Sequence, residues 1–434
     1  MSTTLTRPLA AELEAELQDA RARTLLLIST LSDRDLEEQH DVLMSPIIWD
    51  LGHIASFEEL WLLKHLDGPV EFGEMPGVYN PFEHPRRERG ALPLPRRSEV
   101  LAHLERVREE VLRRLETVDF DASPLLHEGY VYRMVAQHEH QHNETMLQTL
   151  QLKLGGPYHP ARRHELPAGG EIKHSMVRVP AGEYTLGTND RSAAYDNERA
   201  QHRVTLKAFR IDRTPVTNGE YLAFIADGGY TRPELWSPAG LQWLDQSRAV
   251  APLYWSLSDT GWWTRSMDRA EQVDPTRPVC HVSYYEAKAF ARWAGKRLPT
   301  EAEWEVAATW DPASGRAQAY PWGDEPPTTA LANVDQLGFG TAPVGAYPRN
   351  ISPLGCYGMI GDTWEWTSSD FGPYPGYETF PYREYSEVFF GDEYKVLRGG
   401  SWATRPMVAR ATFRNWDYPV RRQIFSGFRC ATND

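Results

Sequence analysis

The stretch EGYVYRMVAQHEHQHNETMLQTLQLKL, residues 128–154, decides the fold of the first half of the chain, because its apolar residues recur at helical spacing. The apolar stripe of this predicted helix passes through Val131, Met134, Val135, His138, His142, Met146 and Leu150. His138 and His142 therefore lie one turn apart on the buried face, where two imidazoles can bind one metal ion. His140 lies two positions from each of them and is expected to point away into solvent.

A third histidine, His53, is the candidate that would complete a metal site. It follows Trp49 and precedes Phe57 in another inward-facing stripe, and the neighbouring Gly52 would let another backbone approach closely. The residues alone leave alternatives open, because inward-facing histidines also occur as hydrogen-bonded core residues. Zinc and iron both accept imidazole, so the ligand type does not choose between them.

Three further stretches of the first half, residues 10–31, 47–66 and 98–118, have apolar residues at helical spacing. Ser45 and Pro46 predict the N-cap and first residue of the second of these helices. Four helices of this length imply an antiparallel bundle whose core can hold a metal between facing helices. The long non-helical segment 67–95 interrupts the bundle, and we expect a functional role for it.

The composition favours small molecules as partners. Lys and Arg number 46 against 60 Asp and Glu, and the net charge of -14 argues against nucleic acid or an anionic membrane surface as the main partner. The N-terminal residues carry acids where a signal peptide needs an apolar core, and no stretch approaches the roughly 18 apolar residues of a membrane span. We therefore expect a cytoplasmic protein.

The two halves of the chain differ in composition. Twelve of the 14 histidines lie between His40 and His174, whereas 13 of the 15 tryptophans lie beyond residue 230. The Gly- and Pro-rich stretch 154–171 is typical of a linker, so we predict one domain at residues 1–160 and another at 174–434. Short β-like runs and two short helical patterns predict an α+β second domain with much irregular structure.

Both halves resemble known families. WDLGHIASFEELWLL (49–63) together with HEHQHNETML (138–147) resembles the DinB-type bundle that opens the sulfoxide synthases of ergothioneine biosynthesis. In the second half, seven segments resemble, in order, the signature segments of the formylglycine-generating-enzyme-like fold, a distorted C-type-lectin-like domain. These segments are VRVPAGEYTLG, PVTNGEYLAF, RPVCHVSYYEAKAFARWAGKRLPTEAEWEVAA, YPWGDE, GDTWEWTSSDF, VLRGGSW and GFRCA.

The cysteines depart from the pattern of the formylglycine-generating enzymes. Those enzymes use a cysteine pair shortly before the final GFRCA segment, and here that stretch contains none, so copper-thiolate oxidase chemistry is not expected. The cysteines of this chain are widely spaced, and we expect buried thiols: Cys280, Cys356 and Cys430. The stretch before GFRCA carries instead an Asn-Trp-Asp set and an arginine that resemble the substrate-binding segment of the sulfoxide synthases: Asn415, Trp416, Asp417 and Arg421.

The resemblance implies a non-haem iron(II) centre with His53, His138 and His142 as ligands. Such an enzyme uses O2 to join a thiol sulfur to an imidazole carbon of Nα-trimethylhistidine (hercynine) and to oxidise that sulfur. Three neutral imidazoles leave the double charge of the ion uncompensated, so a substrate thiolate can bind at an open position and another position is left for oxygen.

The resemblance also implies how the trimethylated substrate is bound. A quaternary ammonium suits an aromatic face and a carboxylate needs hydrogen-bond donors, which makes Trp416 and Asn415 the candidates. Gln141, next to the two histidines of its helix, is the candidate for the substrate imidazole.

The thiol substrate of the resembling enzymes is γ-glutamylcysteine or, in some, cysteine. Arg86 and Arg89 in the long segment have the arginine spacing of the γ-glutamylcysteine users. Asp417 and Arg421 could hold the γ-glutamyl head by complementary charge. Without the resemblance, Arg86 and Arg89 would be interpreted as part of a solvated basic loop. Asp417 and Arg421 would be interpreted as a surface ion pair.

The chemistry also needs a proton donor, and no histidine follows His281. By similarity we choose Tyr377 as the catalytic acid, from a loop that offers four tyrosines: Tyr374, Tyr377, Tyr382 and Tyr385. The fold of the second half often carries structural calcium, for which residues 332–338 and 361–367 supply carboxylates and backbone carbonyls.

Three alternatives remain open. DinB-type bundles with three histidines also serve metal-dependent thiol S-transferases, usually with zinc or nickel. An ovothiol-type synthase acting on histidine is a close relative, although the extra methyltransferase domain usual there is absent from this sequence. A lectin-like half could also bind a ligand without chemistry.

Overall fold

The computed structural model describes residues 3–64, 66, 77–170 and 172–434. The chain forms two compact units. The N-terminal unit contains the chain up to Ala161 together with Asn189–Asp196 and Glu378–Val388, and the C-terminal unit contains the remainder. The predicted fold class, a helical bundle followed by an α+β domain, is confirmed.

The N-terminal unit is helical where the periodicity predicts helices. Its helices are α1 (Thr3–Ile28), α2 (Asp33–Glu37), α3 (Ile47–Glu59), α4 (Arg97–Leu115) and α5 (Tyr130–Gln151). A π-helical turn, Leu60–Lys64, follows α3, and residues 67–76 of the long segment lie outside the described residues. The predicted cap of α3 is wrong by one residue, since Pro46 occupies the N-cap and makes no side-chain cap. Ser45 precedes the N-cap, and its hydroxyl accepts a hydrogen bond from Arg89 Nη1 at 2.8 Å.

The four long helices pack in a closed cycle, in which α1 contacts α4 and α5, and α3 contacts the same two helices. Apolar side chains fill the space between them and bury the stripes that the sequence predicts. Fully buried members include Leu17, Ile47, Leu51, Leu60, Val131, Leu147 and Leu150. The metal-candidate faces of α3 and α5 therefore face one another inside the bundle.

One charged side chain from each long helix enters this core. Arg21 of α1 donates to Glu58 of α3 at 2.7 Å and to Glu139 of α5 at 2.9 Å. Arg108 of α4 donates to the same two carboxylates at 2.5 and 3.0 Å. Two positive and two negative charges balance here, and each charge is paired, which is the condition for burying them. This buried ion group therefore restricts the rotation of each of the four helices about its own axis.

The C-terminal unit combines short helices with several small sheets. Its helices are α6 (Asn218–Ala226), α7 (Pro238–Ser247), α8 (Tyr284–Trp293) and α9 (Glu301–Thr309). Its strands are β1 (Met176–Val179), β2 (Gly182–Leu186), β3 (His202–Leu206), β4 (Phe209–Asp212), β5 (Trp255–Ser258), β6 (Gly261–Ser266), β7 (Arg269–Gln272), β8 (Trp310–Asp311), β9 (Arg316–Ala317), β10 (Trp364–Phe371), β11 (Gly391–Arg398), β12 (Asn415–Asp417), β13 (Ser426–Gly427) and β14 (Ala431–Asn433).

The sheets of this unit are mostly antiparallel. The largest has the order β12–β11–β10–β13, with β10 and β13 parallel, and a three-stranded sheet has the order β1–β4–β14. The pairs β2–β3 and β8–β9 and the meander β5–β6–β7 complete the set. In the largest sheet Val396 lies opposite Trp416, so the Asn-Trp-Asp set forms an edge strand of a sheet whose centre is buried.

No helix in the described ranges is long and apolar enough to cross a membrane. Location in the cytoplasm stays a prediction.

Candidate metal centre

The structure brings His53 of α3 together with His138 and His142 of α5. One ring nitrogen of each lies within 4.8 Å of those of the other two. The ring centroids are 5.1 Å apart for His53 and His138, 4.8 Å for His53 and His142, and 4.5 Å for His138 and His142. Three imidazoles converging at this spacing can share one ion after small side-chain adjustments, since metal–nitrogen bonds are about 2.0–2.1 Å long.

The backbone of the long segment orients His53. Its Nδ1 lies 2.9 Å from the carbonyl oxygen of Tyr79. A carbonyl only accepts, so Nδ1 carries the proton and Nε2 presents its lone pair to the centre. Trp49 stacks on His53 with centroids 4.8 Å apart, and its indole NH donates to Val78 O at 2.7 Å. Gly52 leaves room for the ring of Tyr79, rather than for a second backbone, because a Cβ there would collide with that ring.

A carboxylate that the sequence analysis missed orients His142. Asp50 Oδ1 lies 2.9 Å from His142 Nδ1, and Asp50 is only 1% exposed. The pairing places the proton on Nδ1 and leaves Nε2 as the free donor atom, as is usual for metal-ligating histidines. The signal was present in the sequence, because Asp50 lies three residues before His53 and therefore on a neighbouring part of the same helix face.

Aromatic packing and burial keep the imidazoles of His53 and His138 neutral. His138 stacks on Phe57 with centroids 3.7 Å apart and an interplanar angle of 12°. Burial lowers the pKa of His138 and of His53 well below the usual value, and the neighbouring His142 lowers both further. Neutral imidazole is the form that binds a metal, so the described donor set fits a divalent ion.

The expectation that His140 is solvated is wrong. His140 is only 3% exposed, and its Nε2 lies 4.0 Å from a carboxylate oxygen of Asp19. The physical reason is that α1, which carries Asp19, packs against the side of α5 that the periodicity assigns to solvent. Helix α5 is therefore buried on two sides, and His140 belongs to the contact with α1 rather than to the histidine cluster.

The two arginines of the long segment differ in their surroundings. Arg89 is 5% exposed, and its guanidinium lies 3.5 Å from the Trp49 ring centroid. It donates to His84 O at 2.8 Å in addition to Ser45, and burial followed by the charge of Arg86 lowers its pKa to about 9. Arg86 is more exposed and reaches Leu43 O at 3.5 Å. Arg89 thus packs on the same indole that packs on His53.

Gln141 points toward residues contributed by the second half of the sequence. Its amide NH2 donates to the hydroxyl of Tyr385 at 3.0 Å. Tyr385 stacks on Tyr195 with centroids 4.0 Å apart, and both belong to the N-terminal unit. The ring of Tyr382, from the same segment, lies 5.1 Å from that of Trp61 and 6.3 Å from that of Phe57, centroid to centroid, and Phe57 stacks on His138. Sequence periodicity could not identify these partners because they come from an irregular segment more than 200 positions away.

The remaining site candidates belong to the C-terminal unit. Tyr377 packs edge-on against Phe390 at 5.0 Å, and Trp416 stacks on Phe371 at 4.1 Å with an interplanar angle of 7°. Asn415 is half-buried, and its Oδ1 accepts from the backbone NH of Trp416. Asp417 and Arg421 form an ion pair at 3.4 Å with the arginine side chain 12% exposed, so they are less solvated than a surface pair.

The cysteines and the two predicted calcium segments also belong to the C-terminal unit. Cys356 and Cys430 are free and buried, as predicted, and Cys280 is half-buried. Burial raises the pKa of the Cys356 thiol to about 11, so it stays protonated. Asp362, in the second calcium segment, accepts from Asn333 Nδ2 and from Ala342 N, both at 2.7 Å. Among the described residues, the only group of three or more potential metal-binding side chains is the histidine cluster.

Comparison with known proteins agrees with this architecture. Residues 165–434 match the sulfatase-modifying factor enzyme 1-like domain, and residues 16–146 match the DinB superfamily. The chain is 46% identical to the hercynine oxygenase of Mycolicibacterium thermoresistibile, over 98% of this chain and 95% of that protein. It is also 46% identical to the hercynine oxygenase of Mycobacterium tuberculosis, over 97% and 98%. The formylglycine-generating enzyme of Streptomyces coelicolor is 34% identical, over 59% of this chain and 89% of that protein.

A DinB-type bundle carrying a three-histidine cluster, joined to a sulfatase-modifying-factor-like domain, defines the class of protein. Within that class the two hercynine oxygenases match nearly the whole chain, whereas the formylglycine-generating enzyme matches 59% of it. The chain belongs to the hercynine oxygenase family.

Proposed function

We propose that this chain is an iron(II)-dependent hercynine oxygenase of ergothioneine biosynthesis. It would join the sulfur of γ-glutamylcysteine to an imidazole carbon of hercynine and oxidise that sulfur to the sulfoxide, with O2 as the oxidant. The observation that carries the proposal is the cluster of His53, His138 and His142 in a chain 46% identical to hercynine oxygenases.

The reaction balances with these substrates. The thiol loses its S–H hydrogen and the imidazole loses a C–H hydrogen, and one oxygen atom of O2 leaves with both hydrogens as water. The other oxygen atom becomes the sulfoxide oxygen, so four electrons pass from the substrates to O2. Iron(II), when bound, would supply the one-electron chemistry that O2 requires and a positive charge that favours the thiolate form of the substrate.

The N-terminal unit would hold the ion through the Nε2 atoms of His53 and His142, because their Nδ1 atoms face Tyr79 O and Asp50. His138 would be the third ligand, held by its stack on Phe57. Because all three ligands are neutral, no protein carboxylate competes with the substrate thiolate for the positive charge. The nearby Gln141 would bind the imidazole of hercynine.

The C-terminal unit would bind the charged ends of the substrates. Trp416 offers an aromatic face for the trimethylammonium group, and Asn415 offers an amide for the carboxylate. Asp417 and Arg421 would bind the ammonium and carboxylate of the γ-glutamyl head. The low solvent exposure of the Asp417–Arg421 pair supports this role, since a charged pair away from bulk water binds a zwitterion more strongly.

Arg86 and Arg89 would bind the remaining carboxylate of γ-glutamylcysteine. Arg86, the more exposed of the two, has the freedom to turn toward a ligand. Arg89 already donates to His84 O and Ser45, so its role would combine substrate binding with support of Trp49.

The proton donor has two candidates. Tyr377 is favoured by resemblance. Tyr382 is favoured by its contacts, because it packs on Trp61 within the unit that contains the histidines. Burial raises the pKa of Tyr382 well above the usual value, followed by the effects of Tyr195 and Tyr130, so its hydroxyl keeps a proton to donate.

One experiment tests the proposal against its alternatives. The chain is purified without oxygen, its metal content is measured, and oxygen consumption is followed with γ-glutamylcysteine and hercynine. We expect about one iron per chain, and a coupled sulfoxide only when both substrates and O2 are present. Product formation with zinc and without O2 would instead favour a thiol S-transferase, and equal activity with histidine would favour the ovothiol-type reaction.

Single variants test the ligand set. Changing His53, His138 or His142 to Ala is expected to abolish iron binding, because two imidazoles rarely retain a labile divalent ion. His103→Ala is the matched control, since His103 is a histidine of α4 that pairs with Glu59 outside the cluster. Full iron content in His138→Ala would contradict the assignment. Structural calcium stays a prediction that the same metal analysis tests.

A further inference from the structure

The carboxylate of Glu301, the first residue of α9, lies at the centre of a buried group in the C-terminal unit. Glu301 Oε1 accepts from Arg414 Nε at 2.5 Å, from Arg398 Nη1 at 2.7 Å and from the hydroxyl of Tyr374 at 2.9 Å. Its second oxygen accepts from Arg414 Nη2 at 3.0 Å. One carboxylate therefore receives four donors from three different segments of the chain.

Arg414 connects this carboxylate to the turn that follows β10. Its Nη2 donates to Gly372 O at 2.9 Å, and its guanidinium lies 4.0 Å from the ring centroid of Tyr374. A third nitrogen, Nη1, donates to Asn197 O at 2.9 Å. Because the guanidinium is planar and each of its nitrogens is engaged, the backbone of residue 414 has little freedom to shift.

The residues that follow Arg414 form β12, which carries Trp416. Trp416 stacks on Phe371, the residue immediately before Gly372. The same two stretches of chain are therefore joined twice, once by an aromatic stack and once by the Arg414 hydrogen bond to Gly372 O. The backbone NH of Tyr377 donates to Tyr374 O at 3.0 Å, so the turn that ends at Tyr377 begins at a residue bound to Glu301.

The charges of this group balance only when both glutamates are ionised. Arg398 donates to Glu301 and also to Glu305 at 2.5 Å, so two arginines face two carboxylates. Burial alone would raise the pKa of Glu301, but Arg414 and Arg398 outweigh it and hold this pKa below its usual value. Loss of the Glu301 charge would leave a buried cation uncompensated, which is costly.

We propose that Glu301 is a positioning residue that holds Trp416 and the Tyr374–Tyr377 turn in one fixed arrangement before hercynine binds. This inference rests on the proposed function, because the role of Trp416 toward the trimethylammonium group is part of that function. A ring that is already oriented does not lose side-chain freedom on binding, so the substrate is bound more tightly.

Two variants test the inference, one by removing the charge of Glu301 and the other by removing a single hydrogen bond to it. Glu301→Gln keeps the size of the side chain and removes its charge, and Tyr374→Phe removes only the hydroxyl that donates to Glu301. Glu303→Gln is the matched control, because Glu303 belongs to the same helix and forms an equally close ion pair with Arg297 at 2.7 Å, away from β12. Binding of hercynine to the full chain is measured by calorimetry without thiol or oxygen, beside iron content and the KM for each substrate.

We expect Glu301→Gln to weaken hercynine binding by about tenfold or more, and Tyr374→Phe to weaken it several-fold, as the loss of charge-assisted and neutral hydrogen bonds suggests. Iron content should stay within about twofold of the parent, because the histidine cluster belongs to the N-terminal unit. Glu303→Gln should bind hercynine as the parent does.

Unchanged hercynine affinity in Glu301→Gln, or equal losses in Glu303→Gln, would overturn the inference. If Glu301→Gln does not fold, Tyr374→Phe decides, and parental affinity in that variant overturns it. Hercynine binding by the parent protein distinguishes a failure of this inference from a failure of the proposed function. A parent that does not bind hercynine contradicts the proposed function, whereas a parent that binds it with an affinity insensitive to Glu301 contradicts only the positioning role.

Discussion

Asp50 accepts a hydrogen bond from Nδ1 of His142 at 2.9 Å and so joins α3 to α5 beside the histidine cluster. The other carboxylate oxygen, Oδ2, is buried without a hydrogen-bond partner within the described ranges. A buried carboxylate oxygen without a hydrogen bond lowers the stability of the fold. Proteins tolerate this loss where the carboxylate has a role in a functional site. The pairing resembles the carboxylate–histidine arrangements that orient metal ligands.

The first prediction concerns this pairing. Asp50→Ala should weaken iron(II) affinity about 10- to 100-fold, because His142 loses the partner that fixes its tautomer and ring orientation. Asp50→Asn should lose less, since an amide oxygen still accepts the hydrogen bond. The measurement is an anaerobic metal titration of the iron-free full chain, with the exposed Asp33 changed to Ala as control. Equal affinities in Asp50→Ala and the control would remove Asp50 from the site.

The second prediction concerns the buried ion group of the bundle. Arg108→Met removes one of two positive charges that face Glu58 and Glu139, so it should destabilise the N-terminal unit by about 3–5 kcal/mol. Arg113→Met, on the same helix, breaks only an exposed pair with Glu110 and should change the stability far less, because solvent screens an exposed pair. Urea unfolding followed by helical circular dichroism compares the two. Similar midpoints for both variants would mean that the group does not stabilise the bundle.

The third prediction concerns pH. Burial raises the pKa of Asp362 from the usual 3.8 to about 6, despite hydrogen bonds from Asn333 and Ala342. The folded-state pKa is the higher one, so the stabilisation is complete below about pH 4 and is lost as the pH rises through 6. Each pKa unit corresponds to about 1.4 kcal/mol, which gives a loss on the order of 3 kcal/mol. Asp362→Asn should remove this loss of stability, because an amide does not titrate. The variant should still fold, because Asn tolerates the positive φ of this position.

Calcium provides a second arm of the same measurement. A bound cation would favour the ionised carboxylate, so stability of the parent would no longer fall between pH 4 and 7 when calcium is added after chelation. The same loss with calcium and with chelator would contradict a calcium site at Asp362. A parent and an Asp362→Asn variant with parallel profiles would contradict the raised pKa itself.

The fourth prediction separates the two arginines of the long segment. Arg86→Leu should raise the KM for γ-glutamylcysteine while leaving iron content and the KM for hercynine unchanged, because it removes a contact to a carboxylate. Arg89→Leu should raise the same KM and also lower iron affinity, because Arg89 packs on Trp49, which packs on His53. An unchanged KM for γ-glutamylcysteine in both variants would indicate that Arg86 and Arg89 belong to a solvated basic loop and do not bind this substrate.

The helical half of the fold was accessible to sequence analysis because apolar periodicity assigns each helix one buried face. The same reasoning placed His53, His138 and His142 on buried faces, and the structure brings them together. It failed at His140, since periodicity describes one helix and cannot foresee that α1 covers a second side of α5. The pairing of Asp50 with His142 was missed although Asp50 lies on the same helix face as His53. The contact of Gln141 with Tyr385 was not accessible, because it joins two segments that share no local pattern.

The last prediction concerns the tyrosines of the loop that follows β10. A phenol-to-phenyl change keeps the ring and removes the hydroxyl, so loss of the proton donor should leave iron and substrate binding intact. Oxygen should then be diverted toward oxidation of the thiol alone, giving a sulfinic acid in place of the coupled sulfoxide. The residues compared are Tyr377, favoured by resemblance, and Tyr382, which packs on Trp61.

The variants Tyr377→Phe, Tyr382→Phe and Tyr385→Phe are compared by mass spectrometry of products under saturating substrates. Tyr385→Phe serves as the matched control, since its hydroxyl accepts from Gln141 and its loss should raise the KM for hercynine without changing the product. Diversion to sulfinic acid in Tyr377→Phe supports the assignment by resemblance, and diversion in Tyr382→Phe moves the role to the helical unit. If all three variants make the sulfoxide at the parental rate, the proton comes from another group, because none of the removed hydroxyls is then needed.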